Sequence, residues 1–373
     1  MSKFMISGFY GAGNVGDEAI LEAMLTRIVK NHKDAECYVI SKNQKATKAD
    51  HNVETIGRND FSGFFKHLLT TDVLISGGGS LLQDVTSKKS LAYYIGIIFS
   101  GVVFRKKIML YSHGIGPINS KKYRKLVGFL LNRVDYITVR EEKSKRDLIG
   151  MKVKSEKIHV TADPVINFDL ASIDSRDQIV EKFDLDKDKA IIGVSIKSKC
   201  IVDSSSKLNE FKMMLVELSK KYNVILLPFY FNEDIRVINE IMDNEFVNKI
   251  KNDGSMNVVT IDKEASYSEI IEMVCALDIL VGERLHSLIF AAAAEVPLIG
   301  VSYDPKIDYF LESIKCESIF TASNFDCDML LSEIETLFEN RIAFKEELSY
   351  NVQRLKKKLN INDKLLDSLL SEG

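Results

Sequence analysis

The chain has 373 residues, 46% of them hydrophobic and 28% charged, with a formal net charge of −3. At roughly 150 residues per domain, that length predicts two domains with ample cores, and the composition excludes long disorder, a collagen-like repeat and a disulfide scaffold. The small net charge argues against a general nucleic-acid binder. It conceals a basic stretch: from Lys88 to Asp147, fourteen Lys/Arg stand against four Asp/Glu, a net +10, so the rest of the chain carries −13. A basic stretch in an acidic protein points to a local anionic partner.

In chain order, Met1–Gly8 is too short an apolar run for a signal peptide and reads as a first strand leading into a glycine loop. Phe4–Ser7, Cys37–Ser41, Asp72–Ser76, Ile108–Tyr111 and Tyr136–Val139 read as strands. The helical patterns between them are Glu18–Lys30, Phe61–Leu69, Lys88–Phe104, Lys121–Arg133 and Glu141–Leu148. Such alternation implies crossover connections and a mostly parallel sheet. After a polar stretch, Ala171–Lys189, it restarts. Strands are expected at Ala190–Ile196, Val224–Pro228, Val258–Ile261, Ile279–Val281 and Leu298–Val301. Helices are expected at Leu208–Lys221, Asp234–Met242, Ser268–Leu277 and Leu285–Ala294, with a charged helical tail at Asp328–Leu370.

The predicted architecture is therefore α/β, two Rossmann-like domains facing a cleft, divided as residues 1–170 and 171–373, with the tail free to cross back to the first. The run Leu91–Phe104, followed by Arg105-Lys106-Lys107, falls short of the roughly 20 apolar residues of a membrane span. It reads either as a buried helix with cations at its C-terminus or as a helix that touches an anionic membrane surface. The five cysteines, Cys37, Cys200, Cys275, Cys316 and Cys327, show no zinc or redox spacing and read as reduced thiols of a cytoplasmic protein.

In open α/β sheets, ligands sit at the carboxyl ends of strands, and the unusual residues occur there. Gly8–Glu18 (GFYGAGNVGDE) contains Gly11, Asn14, Gly16 and Asp17 between a strand and a helix. Its GxGxxG invites a dinucleotide reading. Asp17 and Glu18 oppose a pyrophosphate, and Ser41-Lys42-Asn43 stands where a ribose-binding acid is expected. A tight turn with Asp17 as a cap is the plain alternative. Gly77, Gly78 and Gly79, with Ser80 and Gln83 at the rim, form a possible backbone cradle for an anion or sugar, or a close strand–helix approach. His113 and Arg140 follow further strands; the one is a substrate ligand or a loop cap, the other a site cation or half of an ion pair. Gly282-Glu283-Arg284-Leu285-His286 is the most informative segment. Arg284 can grip a carboxylate or phosphate bidentately, and His286 can exchange protons near neutral pH. Lys306 follows the next strand. No metal-ligand cluster or nucleophile elbow is present.

Gly8–Leu21, Ser76–Tyr94, His113–Ile118, Val139–Glu141, Ala162–Pro164, Gly282–Ala292 and Ser302–Ile307 together resemble, in order, the polysaccharide pyruvyltransferase family, particularly its CsaB-type cell-wall members. The resemblance implies a fold like that of two-domain GT-B glycosyltransferases. It implies transfer of pyruvate from phosphoenolpyruvate, as a ketal, to an N-acetylmannosamine of a lipid-linked cell-wall precursor whose polymer anchors surface-layer proteins. Phosphoenolpyruvate is then a substrate, and no cofactor is needed. By that likeness Arg284 and His286 would meet the donor, and Arg140 and Lys306 fall at further family positions. His286, Arg284 and Arg140 are expected to be catalytic and Lys306 and Lys197 to bind substrate, and the basic stretch suggests peripheral contact at the inner membrane face. The family often has Gln where His113 stands and Arg where Lys197 stands. The acceptor side is expected on the first domain. The main competing reading is a GT-B nucleotide-sugar glycosyltransferase; an oxidoreductase and a non-catalytic sugar binder are weaker ones.

Overall fold

The computed structural model describes residues 2–371 except 86, 198, 203, 253–256, 262 and 322–324. The chain forms two compact units: residues 1–167 with 355–373, and residues 168–354. The boundary expected at residue 170 leaves the tail in the second domain unless it crosses back; its last nineteen residues belong to the first unit.

The first unit runs β1 (Lys3–Tyr10), α1 (Val15–Asn31), β2 (Glu36–Ser41), α2 (Gln44–His51), β3 (Glu54–Gly57), α3 (Phe61–Thr70), β4 (Val73–Ser76), β5 (Gly79–Leu82) and α4 (Lys88–Val103). It continues with β6 (Lys107–Ile115), α5 (Lys121–Leu131), β7 (Tyr136–Val139), α6 (Glu142–Gly150) and β8 (Ile158–Val160). All pairings are parallel, in the order β3-β2-β1-β4-β6-β7-β8, and β5 adds to the far end of β6. Period-2 alternation divides the strands' side chains between two cores. Met5, Leu74, Ile108 and Leu110 join the core with α3, α4 and α5, while Phe4, Ile6, Val73, Ile75 and Met109 join the one with α1.

The second unit contains α7 (Arg176–Phe183), β9 (Ile191–Ser195), α8 (Lys199–Val202), α9 (Ser205–Lys221), β10 (Asn223–Leu226), α10 (Phe231–Ile241), α11 (Asn244–Asn252) and β11 (Val258–Thr260). Then come α12 (Tyr267–Cys275), β12 (Ile279–Gly282), α13 (Leu285–Ala293), β13 (Leu298–Ser302), α14 (Pro305–Ser313) and β14 (Ser318–Thr321). Its parallel sheet has the order β11-β10-β9-β12-β13-β14. In both sheets the order reverses direction at one place: between β1 and β4 in the first, between β9 and β12 in the second. A crevice opens at the carboxyl ends of the strands at such a switch point.

The final helix, α15 (Cys327–Ser371), is one element of 45 residues. Leu330 and Ile334 pack in the core of the second unit, and Leu366 and Leu369 in that of the first. Within the first unit the tail is fastened to α1 by Arg27. Its Nε donates to Asp363 at 3.0 Å, Nη1 to Asn167 at 2.9 Å and Nη2 to Asn360 at 3.0 Å. The buried Asn362 donates to Ser112 Oγ at 3.0 Å. Arg27→Met leaves Asp363 facing a half-buried site without its cation; it is expected to lower the stability of the first unit by about 2–3 kcal/mol. Denaturant unfolding checks this, and an unchanged midpoint contradicts the fastening role.

Candidate functional site

At the first switch point the two glycine loops are largely closed on themselves. Gly11 has φ +67°, and a Cβ there would lie 2.2 Å from Ser41 Oγ, so the position requires glycine. Its N–H donates to Glu18 Oε1 at 2.8 Å. Asn14 caps α1 by accepting from the Gly16 N–H at 3.1 Å. Asp17, expected as the alternative cap, is instead buried in the first turn of α1. The Gly77 N–H donates to the Ser7 carbonyl at 2.7 Å, and a Cβ there would stand 2.0 Å from the Tyr10 hydroxyl. Gly78 packs against Ile20, and Gly79, at φ +91°, begins β5 beside Asp17. The expected cradle is thus a chain step: two glycines carry the backbone from β4 to a new strand on β6. Gln83 Oε1 accepts from the Val85 N–H at 2.8 Å.

Arg140, at the end of β7, is held on three sides. Nε donates to Glu141 at 3.2 Å, Nη1 to Asp163 at 2.8 Å and Nη2 to Ser80 Oγ at 3.2 Å. Its side chain is 6% exposed. His113 lies beneath it on β6, fully buried, with Nε2 3.1 Å from the Ser76 carbonyl. That places a neutral Nε2–H ring donating to Ser76. Burial pushes its pKa down to about 4, helped by the Arg140 charge and opposed by the Ser76 bond. His113 therefore forms the floor of the site and does not face solvent.

At the second switch point, β9, β12 and β13 lie side by side, and their carboxyl ends carry Lys197, Glu283-Arg284 and Tyr303 respectively. Arg284 is the N-cap residue of α13. Its Nε lies 3.0 and 3.2 Å from the two oxygens of Asp234, Nη2 closes on Asp234 Oδ1, and Nη2 donates to Glu233 at 3.0 Å. Asp234 is fully buried and also accepts the Phe229 and Tyr230 N–H groups at 3.0 and 2.9 Å. Burial pushes its carboxyl upward, against the stabilisation from Arg284 and the two amides.

Lys197 stands 3.9 Å from Glu233, with its ammonium 5.0 Å from the Tyr303 ring centre. Burial lowers its pKa, and the charges of Arg284 and Lys306 lower it further. The three cations are therefore close enough to feel one another. Lys306 pairs with Asp304 at 3.1 Å. Glu283 is buried and accepts the Lys197 N–H at 2.8 Å. His286 is half-buried in the first turn of α13, whose positive N-terminal end lies at the same place.

Lys197, Arg284 and Lys306 are thus gathered around one strand-end crevice, and His286 lies two residues beyond Arg284 in the first turn of α13. The first unit separately gathers Ser80, His113 and Arg140. The sequence reading missed Asp234, Glu233, Tyr303, Asp163 and the role of Glu141. A visible signal for Asp234 was an acid opening a helix just after a strand. Among the described residues no cluster of His, Cys, Asp and Glu is arranged to hold a metal ion. Cys37, Cys275, Cys316 and Cys327 are free; burial pushes the first two thiols up to about 12 and the others to about 11. Cys200's side chain and Thr86 lie outside the described residues.

Residues 14–305 match the polysaccharide pyruvyl transferase family. The chain belongs to that family. The match runs from the cap of α1 to the start of α14, so it takes in both clusters except Lys306. Membership indicates transfer of a pyruvyl group to polysaccharide. The amylovoran biosynthesis protein AmsJ of Erwinia amylovora is 18% identical over 358 residues, covering 82% of this chain and 84% of that protein. Among solved structures, the UDP-GlcNAc 2-epimerase of Neisseria meningitidis bound to UDP-GlcNAc superposes with a TM-score of 0.67 at 11% identity, covering 99% of this chain and 100% of that one. Anabaena Alr3699/HepE in complex with UDP gives 0.62 at 13% identity, covering 100% of both chains. These likenesses show the fold, which is GT-B-like with two Rossmann-like domains. Among the described residues no helix is long and apolar enough to cross a membrane.

Two buried histidines of this pyruvyl transferase family member set opposite pH limits on its first unit. His113 takes up a proton on unfolding, so stability falls as pH drops from about 6.5 toward 4. His51 contacts Glu18 and Glu22, which outweigh the cost of burial and raise it to about 9, so its contribution is complete below 6.5 and lost as pH rises toward 9. Each effect is at most about 3 kcal/mol. Thermal unfolding of His113→Gln is expected to flatten the acid limb alone, and of His51→Gln the alkaline limb alone. Parallel profiles for variants and wild type contradict the assignments.

Proposed function

We propose that the protein is a CsaB-type, ketal-forming pyruvyltransferase. It moves pyruvate from phosphoenolpyruvate to an N-acetylmannosamine of a lipid-linked cell-wall polysaccharide precursor on the cytoplasmic side of the membrane, and releases phosphate. The observation that carries this reading is the gathering of Lys197, Arg284 and Lys306 at the end of β9, β12 and β13, beside the N-terminus of α13 that carries His286. Phosphoenolpyruvate presents a carboxylate and a phosphate on a three-carbon frame. A guanidinium fixed in place by Asp234, two ammonium groups and a helix N-terminus are donors of the right kind for both.

The chemistry needs four events. A proton goes to the enol methylene, and C2 gains cationic character. One sugar hydroxyl adds to C2 and loses its proton; phosphate then departs with the C2–O bond pair. The second hydroxyl adds to C2, loses its proton and closes the ketal. One of the two hydroxyl protons balances the methylene proton, and the other leaves with phosphate. His286 is assigned a proton transfer, Arg284 the donor anion, and Lys197 and Lys306 the remaining charge. The acceptor is assigned to the switch point of the first unit, where Ser80 and the rim of the glycine loops offer polar groups, with Arg140 holding Ser80.

Incubation with phosphoenolpyruvate and a panel of N-acetylhexosamine acceptors tests the reading by phosphate release and mass spectrometry. A gain of pyruvate less water on the N-acetylmannosamine acceptor is expected. UDP release from a nucleotide sugar, with no phosphate from phosphoenolpyruvate, overturns it. His286→Ala is expected to cut turnover by roughly 10²-fold or more while the protein stays folded; near-normal turnover removes its assigned role. Because Lys197 is held below its ordinary value, donor affinity is expected to fall as pH rises through its depressed pKa. In Lys197→Met that pH dependence should vanish; its persistence contradicts donor contact.

A further inference from the structure

The outer faces of α3 and of the C-terminal half of α4 expose large apolar side chains. On α3, Phe61, Phe65 and Leu69 recur at four-residue spacing and are 69%, 39% and 59% exposed. On α4, Phe99 and Val103 are 53% and 57% exposed, and nothing lies within 4 Å of the place a Cβ would occupy at Gly96. No charged residue occurs between Lys89 and Arg105. Phe104 joins the two helices, its ring centre 5.7 Å from that of Phe65. A helix exposed on one side and apolar there is covered by something in use.

The charges around this face identify what covers it. Lys88 and Lys89 open α4, and Lys121 and Lys122 open α5; neither helix has an acid in its first turn. Cations at that end oppose the helix dipole, so helix stability does not account for them. Lys125 and Arg105 add to the ring, and all six are exposed. Asp84 accepts from the Asn119 and Ser120 N–H groups at 2.8 Å each, tying the segment before α4 to the one before α5. The lysine pairs therefore rim the same edge of the sheet as the glycine loops.

We propose that the α3–α4–α5 face docks on an anionic lipid bilayer, with the aromatic and aliphatic side chains at the acyl boundary and the six cations among the headgroups. A second copy of this chain placed face to face would set like-charged rings against each other, which favours lipid over self-association. The proposal extends the reading of a lipid-linked acceptor, but its test requires neither donor nor acceptor, so the two can fail separately.

The test is sedimentation of the full chain with vesicles of phosphatidylglycerol and phosphatidylcholine, against phosphatidylcholine alone. Binding to the anionic vesicles that weakens with added salt is expected. Lys121→Glu with Lys122→Glu, and separately Phe99→Ser with Val103→Ser, should each weaken binding at least tenfold. Circular dichroism should remain unchanged, because these side chains are exposed. Absence of binding to anionic vesicles at low salt overturns the proposal, as does full binding by both variants. A dimer in sedimentation velocity that the Phe99/Val103 variant abolishes also overturns it, in favour of a second copy.

Discussion

Asp234 is the residue on which the second strand-end cluster depends. A carboxylate taken wholly out of water is costly unless it is paired and hydrogen-bonded. Here the Phe229 and Tyr230 amides and the Arg284 guanidinium satisfy it. Arg284 cannot swing away without leaving that charge buried and unpaired, so a long side chain becomes a fixed fork. Asp234 lies at the start of α10 and Arg284 at the cap of α13, so one ion pair ties the elements after β10 and β12 across intervening β9. Lys197, which follows β9, then sits among charges whose positions are already set.

The first unit uses the same device to a different end. Arg140 also follows a strand and also meets carboxylates, but Asp163 and Glu141 together neutralise it, and its side chain is less exposed than that of Arg284, 6% against 12%. Arg140 therefore acts on its neighbours, holding Ser80 and the wall above His113. Arg284 has two further cations nearby, Lys197 and Lys306, set among Asp234, Glu233, Glu283 and Asp304. Three cations at one strand-end cluster, against the single Arg140 in the first unit, are the ground for assigning the anionic donor to the second unit and the uncharged hydroxyls of an acceptor to the first.

The alternation of strands and helices was legible in the sequence because buried parallel strands read as short apolar runs. The strand ends were legible because glycine, arginine and histidine cluster there. β3, β5, β8 and β14 were not read. They have three or four residues each, and Gly79–Leu82 looked like a loop because two glycines precede it. The glycine loops were read as open cradles, but whether an amide is free depends on distant partners such as Ser7 and Ser41, which spacing does not reveal. Asp234 was missed for a related reason: its burial is a property of the packed unit. The +10 stretch is visible in the sequence, whereas the placing of Lys88, Lys89, Lys121 and Lys122 at the starts of helices whose layer exposes apolar side chains is visible only in the fold.

Arg284, its Nε and Nη2 held by Asp234 and Glu233, is set to meet the donor through Nη1 from a position that the fork fixes and that a point charge would not hold. Calorimetric binding of phosphoenolpyruvate to wild type and to Arg284→Lys tests this most directly, since lysine keeps the charge and loses the fork. The account predicts affinity at least about tenfold weaker in Arg284→Lys, corresponding to about 1.4 kcal/mol. Equal affinity in the two proteins contradicts it.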